Sequence, residues 1–334
     1  MNKVKILSEK DIKSIINLKM TIKAVEAAYM QKSNKQAEVW PLVFYEYEHD
    51  IFDLDIRSGN LLGSGAYGLK LISYNENNPK NGYPKVYGTA IICDDKTGKP
   101  LALLNAAPIT FYRTGAAAAI GAKYLAKKDS KILLVVGNGN IAKYSTAATL
   151  YLLPTIEKVY VYNPKRTLND EELLSFKNDV SNLLGKTLNT SFNKVDDIEK
   201  ITGMSDIIIT STPSYEAIIK DEWVKNGTHL SCMGACIKNQ QEIDENIWLR
   251  AKAFADDENQ CLTHGEAQTA YNKKIISKFS GEIGNIILGN LQGRTTEDDI
   301  TIFDSTGLFL QDLATSMELI KEANEKNIGI DVDL

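Results

Sequence analysis

The chain has 334 residues, 43% hydrophobic and 24% charged, with a formal net charge of −5. This composition excludes wholesale disorder, and the slight acidic excess argues against a nucleic-acid partner. No segment approaches the ~20 consecutive apolar residues that span a bilayer, and at roughly 150 residues per domain the length suits two domains.

Residues 7–35 read as helix: Ser8 suits the N-cap, and Ile12, Ile15, Ile16 and Leu18 start an apolar stripe. From 42 to 107 the period changes to two. Phe52, Leu54 and Ile56 alternate with Asp53, Asp55 and Arg57, and two apolar runs flank the turn Asp94-Asp95-Lys96-Thr97-Gly98. That pattern predicts an antiparallel meander. Residues 114–128 are Ala-rich and predict a helix. At 131 the texture changes. Ile132–Val136 is a short apolar run without alternation, which suits a buried parallel strand. A Gly-rich turn, a helix and further strands at Val159–Tyr162, Asp206–Thr210, His229–Met233 and Ala251–Ala255 follow. The tail returns to helix, with Leu310, Leu313, Met317 and Ile320 at 3-4-3 spacing. The expected fold class is α/β: a Rossmann-type doubly wound parallel sheet over 129–307, plus an α+β domain with an antiparallel sheet from 1–128 and 308–334.

Gly137-Asn138-Gly139-Asn140-Ile141-Ala142 matches GxGxx(G/A) directly after an apolar strand. The first glycine permits a tight turn, the second lets the backbone approach a pyrophosphate, and Ala142 allows close helix–strand packing. The following helix N-terminus favours the phosphates. A carboxylate at the end of the second strand would mark NAD by accepting from the ribose 2′-hydroxyl. Here the strand ends in Asn163, followed by Pro164, Lys165 and Arg166. Two cations without a carboxylate suit a 2′-phosphate, so NADP is favoured over NAD.

Other signals carry less. Leu183–Thr187 resembles the end of a phosphate loop, but Val180 stands where its first glycine belongs. His49, His229 and His264 are far apart, and Cys232 and Cys236 make no metal site by themselves, so no metal is expected. Cys93, Cys232, Cys236 and Cys261 form no CxxC pair, and the N-terminus lacks an apolar signal core. A cytoplasmic protein with reduced thiols is the expectation, and the sequons at Asn189 and Asn226 are then chance matches.

Several ordered motifs narrow the reading. They are Gly68-Leu69-Lys70, the stretch NPKNGYP from Asn78, DKTGKPLA from Asp95, Arg113-Thr114-Gly115-Ala116-Ala117, Gly293-Arg294-Thr295 and DITIFDSTGLFLQDL from Asp299. With these the chain resembles the ornithine cyclodeaminase/mu-crystallin family over nearly its whole length. The resemblance implies a homodimer whose N-terminal domain serves substrate binding and dimerisation. Members of that family include ornithine and lysine cyclodeaminases, alanine dehydrogenases, ketimine reductases and opine-like amino acid dehydrogenases. It implies that Lys70 and Arg113 hold the substrate carboxylate and serve proton transfer, with Lys70 as the catalytic residue. It adds Thr114, Thr212, Met233 and Gly307 to the expected cofactor contacts. The chemistry is consistent: a guanidinium matches a carboxylate bidentately, and a buried lysine exchanges protons nearer neutrality. Arg57, on the polar face of its strand, is a candidate second clamp.

Departures matter too. Leu42 and Lys85 stand where many members carry arginine and threonine. Cyclodeaminases place an aspartate shortly after the strand matching Leu230–Gly234, and here the best match is Cys236. A neutral thiol is a poor base at pH 7, so ring closure would need another carboxylate, such as Glu242 or Asp304. The expected function is therefore an NAD(P)-dependent oxidoreductase acting at the C–N bond of a small α-amino or α-imino acid. The alternatives are an ornithine or lysine cyclodeaminase and a non-catalytic mu-crystallin-like binder.

Overall fold

The computed structural model describes residues 3–49 and 51–333. They belong to two compact units, Met1–Arg113 with Leu308–Leu334, and Thr114–Gly307. The chain begins with β1 (Lys3–Leu7), α1 (Glu9–Ile15) and α2 (Leu18–Ser33). The single helix expected over 7–35 is thus broken at Ile16 and Asn17. Asn17 is the cause: its side chain accepts from the Met20 N–H and starts a new helix, a local bond that competes with helix continuation. Ser8 caps α1 in a full capping box with Asp11. There follow β2 (Ala37–Val39), β3 (Val43–Glu48), β4 (Phe52–Leu61), β5 (Ala66–Asn75), β6 (Val86–Asp94), β7 (Pro100–Asn105) and α3 (Ala106–Leu125). The helix α3 starts eight residues earlier than the Ala-rich run, because Asn105 Oδ1 accepts the Ala107 N–H at 3.0 Å. The boundary between the units falls inside α3, between Arg113 and Thr114 and ahead of the composition shift at 128.

The second unit continues with β8 (Ile132–Val136), α4 (Asn140–Leu152), β9 (Lys158–Tyr162), α5 (Asp170–Leu184), β10 (Ser191–Lys194), α6 (Ile198–Met204), β11 (Ile207–Thr210) and β12 (His229–Cys232). It ends with β13 (Ala251–Ala255), α7 (Glu258–His264), α8 (Gln268–Asn272), β14 (Gly281–Glu282), α9 (Ile283–Ile287) and β15 (Ile300–Asp304). These eight strands form one parallel sheet in the order β10-β9-β8-β11-β12-β15-β13-β14. The chain winds outward one way from β8 and the other way from β11, so the topological switch lies between them, where such sheets bind ligands at the carboxyl ends. The apolar core packs on β8, β11 and β12, and the apolar runs of β8 and β11 supply much of it.

The chain then returns to the first unit with α10 (Phe309–Glu325) and β16 (Ile330–Asp333). The meander β7-β6-β5-β4 is extended by β2 and β3 on β4, by β1 parallel to β7, and by β16 on β1. The α/β fold with one parallel and one mainly antiparallel sheet is borne out. Packed against this second sheet are α2 and α10. Its other face is apolar yet exposed at Leu69, Leu71, Tyr87, Ile91 and Leu103. Among the described residues no helix is long and apolar enough to cross a membrane.

Candidate active site

In the first unit, cross-strand register places Lys70 on β5 directly opposite Arg57 on β4. Lys70 is 1% exposed, and its Nζ donates to Asp312 Oδ1 at 2.8 Å and to Thr110 Oγ1 at 3.2 Å. The Nε of Arg113, on α3, lies 3.4 Å from Asp312 Oδ2. A terminal Arg113 nitrogen donates to Gln311 Oε1 at 3.1 Å, and the Gln311 amide donates to the Tyr29 hydroxyl at 2.7 Å. Arg57 pairs through Nε with Asp55 Oδ2 at 3.1 Å. The structure therefore brings Arg57, Lys70 and Arg113 together, all buried. Burial lowers the Lys70 ammonium to about 8; Asp312 opposes this, and the Arg113 and Arg57 charges add to it.

Lys70 and Arg113 share the one Asp312 carboxylate, and Arg57 pairs with Asp55 beside them. A buried cationic cluster of this kind is stabilised when an anion joins it. Arg113 Nε and Asp312 Oδ2 also lack hydrogen bonds despite their proximity. Sequence reasoning missed Asp312, Gln311 and Thr110. A signal existed for the first: Gln311-Asp312 interrupts the apolar run of α10, and a carboxylate at a core position of a helix demands a cation.

In the second unit a cavity of about 370 Å³ opens at the switch point, lined by 137–139, 163–165 and 211–214. It gathers Gly137, Gly139, Asn163, Lys165 and Thr212 from three strand ends. Gly137 has φ +111°, and a Cβ there would lie 2.8 Å from Ser211 Oγ, so the turn needs glycine. A Cβ at Gly139 would meet nothing within 4 Å, so this position faces open space. Gly139 is the N-cap of α4 with no side-chain cap, which leaves the amides of Asn140 and Ile141 uncapped at the helix start. This open, uncapped helix start fits the pyrophosphate of a nicotinamide dinucleotide.

Asn163 accepts the Lys165 N–H at 2.9 Å and donates to Asn138 Oδ1 at 3.3 Å. Arg166 does not line the cavity. It forms a two-pronged pair with Glu172, whose carboxylate also takes the Asn169 N–H in the capping box of α5. Glu172 sits there because it is the third residue of the helix, and Arg166 reaches it from the loop. Thr114, Met233 and Gly307 also lie outside this cavity. Missed by the sequence reading were Ser211, Pro213 and Ser214, although Ser211-Thr212-Pro213-Ser214 directly follows an apolar strand.

Glu242 and Asp304, the two alternative carboxylates, are both fully buried. Glu242 accepts four hydrogen bonds, and Asp304 accepts the Glu266 and Ala267 amides at 3.2 and 2.9 Å. Among the described residues no group of three or more His, Cys, Asp or Glu side chains is placed to hold a metal ion.

Comparison with known proteins agrees with this geometry. The chain is 32% identical to an alanine dehydrogenase of Archaeoglobus fulgidus over 326 residues, covering 97% of this chain and 96% of that protein. The structure of an archaeal alanine dehydrogenase dimer with bound NAD superposes with a TM-score of 0.89 at 31% identity, covering 99% of each chain. Thermococcus litoralis Δ(1)-pyrroline-2-carboxylate reductase, in complex with NADH and L-proline, gives a TM-score of 0.89 at 30% identity, covering 98% of this chain and 100% of that one. The sequence profile of the ornithine cyclodeaminase/mu-crystallin family matches residues 2–327. The lysine–arginine cluster, the glycine turn at the switch point and this whole-length match lead to one assignment: the chain belongs to the ornithine cyclodeaminase/mu-crystallin family.

Proposed function

We propose that this protein is a nicotinamide-dinucleotide-dependent oxidoreductase acting at the C–N bond of a small α-amino or α-imino acid. The observation that carries this reading is the buried cluster of Lys70 and Arg113 on Asp312, in which the Lys70 ammonium is brought to about 8. Arg113 and Arg57 hold the substrate carboxylate, where a guanidinium fork offers two parallel hydrogen bonds. Lys70 holds or moves the proton at the substrate nitrogen, and a group titrating near 8 does so in both directions near neutral pH. Asp312 keeps Lys70 and Arg113 in place. The amides of Gly139, Asn140 and Ile141 take the pyrophosphate. Gly137 shapes the turn, and Asn163, Lys165 and Thr212 line the remainder of the cavity. A nicotinamide dinucleotide bound there supplies hydride exchange with the substrate carbon.

NADP is the preferred form in this reading. The rim carries Asn163 and Lys165 and no carboxylate, which suits a 2′-phosphate. Arg166 contributes only by leaving Glu172, an exposed pair that a phosphate displaces. A second copy of the chain covers the exposed apolar face of the first unit's sheet, forming a homodimer; light scattering tests this.

Ring closure of ornithine is not favoured. Cys236 is a thiol, and Glu242 and Asp304 are buried and engaged. A mu-crystallin-like binder without turnover is not favoured either, because it has no need of a proton-exchanging Lys70. The test is nicotinamide absorbance with a panel of 2-oxo acids plus ammonia and of cyclic α-imino acids. Consumption of NADPH matched by amino acid formation is expected; absence of consumption across the panel overturns the reading.

A further inference from the structure

Glu242 lies behind the dinucleotide cavity and is not part of its lining. Its Oε1 accepts the Thr212 N–H at 2.6 Å and the Thr212 hydroxyl at 2.7 Å. Its Oε2 accepts the Thr210 hydroxyl at 2.7 Å and the Gly234 N–H at 2.9 Å. One side chain thus ties the segment after β11 to the segment after β12. Gly234 makes this closeness feasible: a Cβ there would lie 2.4 Å from Glu242 Oε2 and 2.3 Å from the Thr212 carbonyl oxygen. Thr212, held through both its amide and its hydroxyl, is itself a wall of the cavity.

Each Glu242 oxygen faces one hydroxyl and one amide. A hydroxyl turns round to accept, but an amide only donates, and a protonated carboxyl accepts more weakly than a carboxylate. The four bonds therefore require the ionised form. The titratable groups facing Glu242 are all acids: Glu266, Asp304 on β15 and Cys232 on β12. Glu266 Oε1 accepts the amides of Glu242 and Ile243 at 2.7 Å each, while its buried Oε2 has no partner. Burial and the Glu242 charge push Glu266 far up, and the four donors aimed at Glu242 favour the charge there.

We propose that ionised Glu242 is a positioning residue for the dinucleotide, holding the Thr212 segment in its binding shape. This rests on the reading that the cavity takes the dinucleotide. Burial, opposed by those four hydrogen bonds, pushes Glu242 up to about 7. Proton uptake as pH falls through that value weakens the bonds and loosens the segment. Cofactor affinity then falls toward acid pH.

The experiment is calorimetric titration of the full-length protein with NADH between about pH 6 and pH 8. NADH is the probe because the 2′-phosphate of NADPH titrates near pH 6 itself. Buried His229 does not interfere, since burial lowers it to about 3. Wild type should bind more weakly below pH 7. Glu242→Gln places an NH₂ group against an amide donor, so it should bind roughly tenfold more weakly at pH 8 and without the pH dependence. Thr210→Val removes one donor outside the cavity and serves if Glu242→Gln fails to fold. It should move the midpoint of the wild-type profile to higher pH. Wild-type affinity and slope in Glu242→Gln, or an unmoved midpoint in Thr210→Val, overturns the inference. Absence of NADH and NADPH binding by wild type overturns instead the assignment of the cavity to the dinucleotide.

Discussion

Lys70 and Glu242 are both fully buried ionisable groups, one in each unit, and their surroundings differ in kind. Lys70 sits among like charges, with Arg57 opposite it and Arg113 nearby, and Asp312 offsets only part of the total. Arg113 Nε and Asp312 Oδ2 are left without hydrogen bonds. Glu242 has both oxygens filled by donors from its own scaffold. A buried cationic cluster with an unfilled donor, Arg113 Nε, and an unfilled acceptor, Asp312 Oδ2, is suited to a ligand. A buried carboxylate saturated by backbone amides and hydroxyls is built to hold those amides in place. In the proposed reading the first touches the substrate and the second acts through Thr212.

The largest expected effect separates these roles. Lys70→Met keeps the stem volume and removes the charge. Turnover should fall by on the order of a hundredfold or more while the cofactor Kd hardly moves. Near-wild-type turnover would make Lys70 a scaffold group like Glu242. Arg113→Lys keeps the charge but loses the fork. It should raise KM for the amino or imino acid by roughly tenfold to a hundredfold, with a smaller change in kcat. Steady-state kinetics check both variants.

Asp312→Asn sharpens the contrast further. The Asp312 charge supports the Lys70 ammonium against burial, so the variant lowers Lys70 below about 8. With Lys70 as the proposed proton donor in the reductive direction, the alkaline limb of kcat/KM should move to lower pH. Rates at neutral pH should fall about tenfold. A limb that stays in place would show that Asp312 only packs. The smallest effect is at the cofactor rim. Lys165→Ala should weaken NADPH binding by several fold through one lost ionic contact and leave NADH binding unchanged, with a smaller loss in Arg166→Ala because Glu172 holds that side chain.

The parallel sheet was largely legible because central strands such as Ile132–Val136 and Ile207–Thr210 are short apolar runs. Less legible were β10 at that sheet's edge, which reads SFNK, and, in the other sheet, β1 and β16, which mix charges into short terminal segments. On β5 the pattern misleads in an instructive way. Leu69 and Leu71 are 36% and 40% exposed while Lys70 between them is buried. Lys70 and Arg57 are charged exceptions on an inner face otherwise built from residues such as Leu61, Ala66, Ala90, Ile92 and Leu104, while the outer face exposes its leucines. Local motifs therefore pointed to Lys70 and Arg113, whereas Asp312, an interruption in an apolar helical run, gave no sign that its partner is Lys70, 242 residues away in the chain. The glycine turn was readable because backbone geometry itself imposes glycine at 137. The side chain of Arg166 was misplaced, because its partner Glu172 belongs to a helix cap that the motif does not mention.

The central claim is net hydride exchange with a substrate carbon next to nitrogen. It is tested most directly by incubating the protein with NADPH dideuterated at nicotinamide C4 and a panel of α-imino acids, including Δ(1)-pyrroline-2-carboxylate, with products read by mass spectrometry. An amino acid carrying deuterium at its α-carbon, formed in the same amount as the NADPH consumed, is the expected product. Proline formed from ornithine with catalytic NAD⁺, with no deuterated product from any imino acid, would contradict that claim.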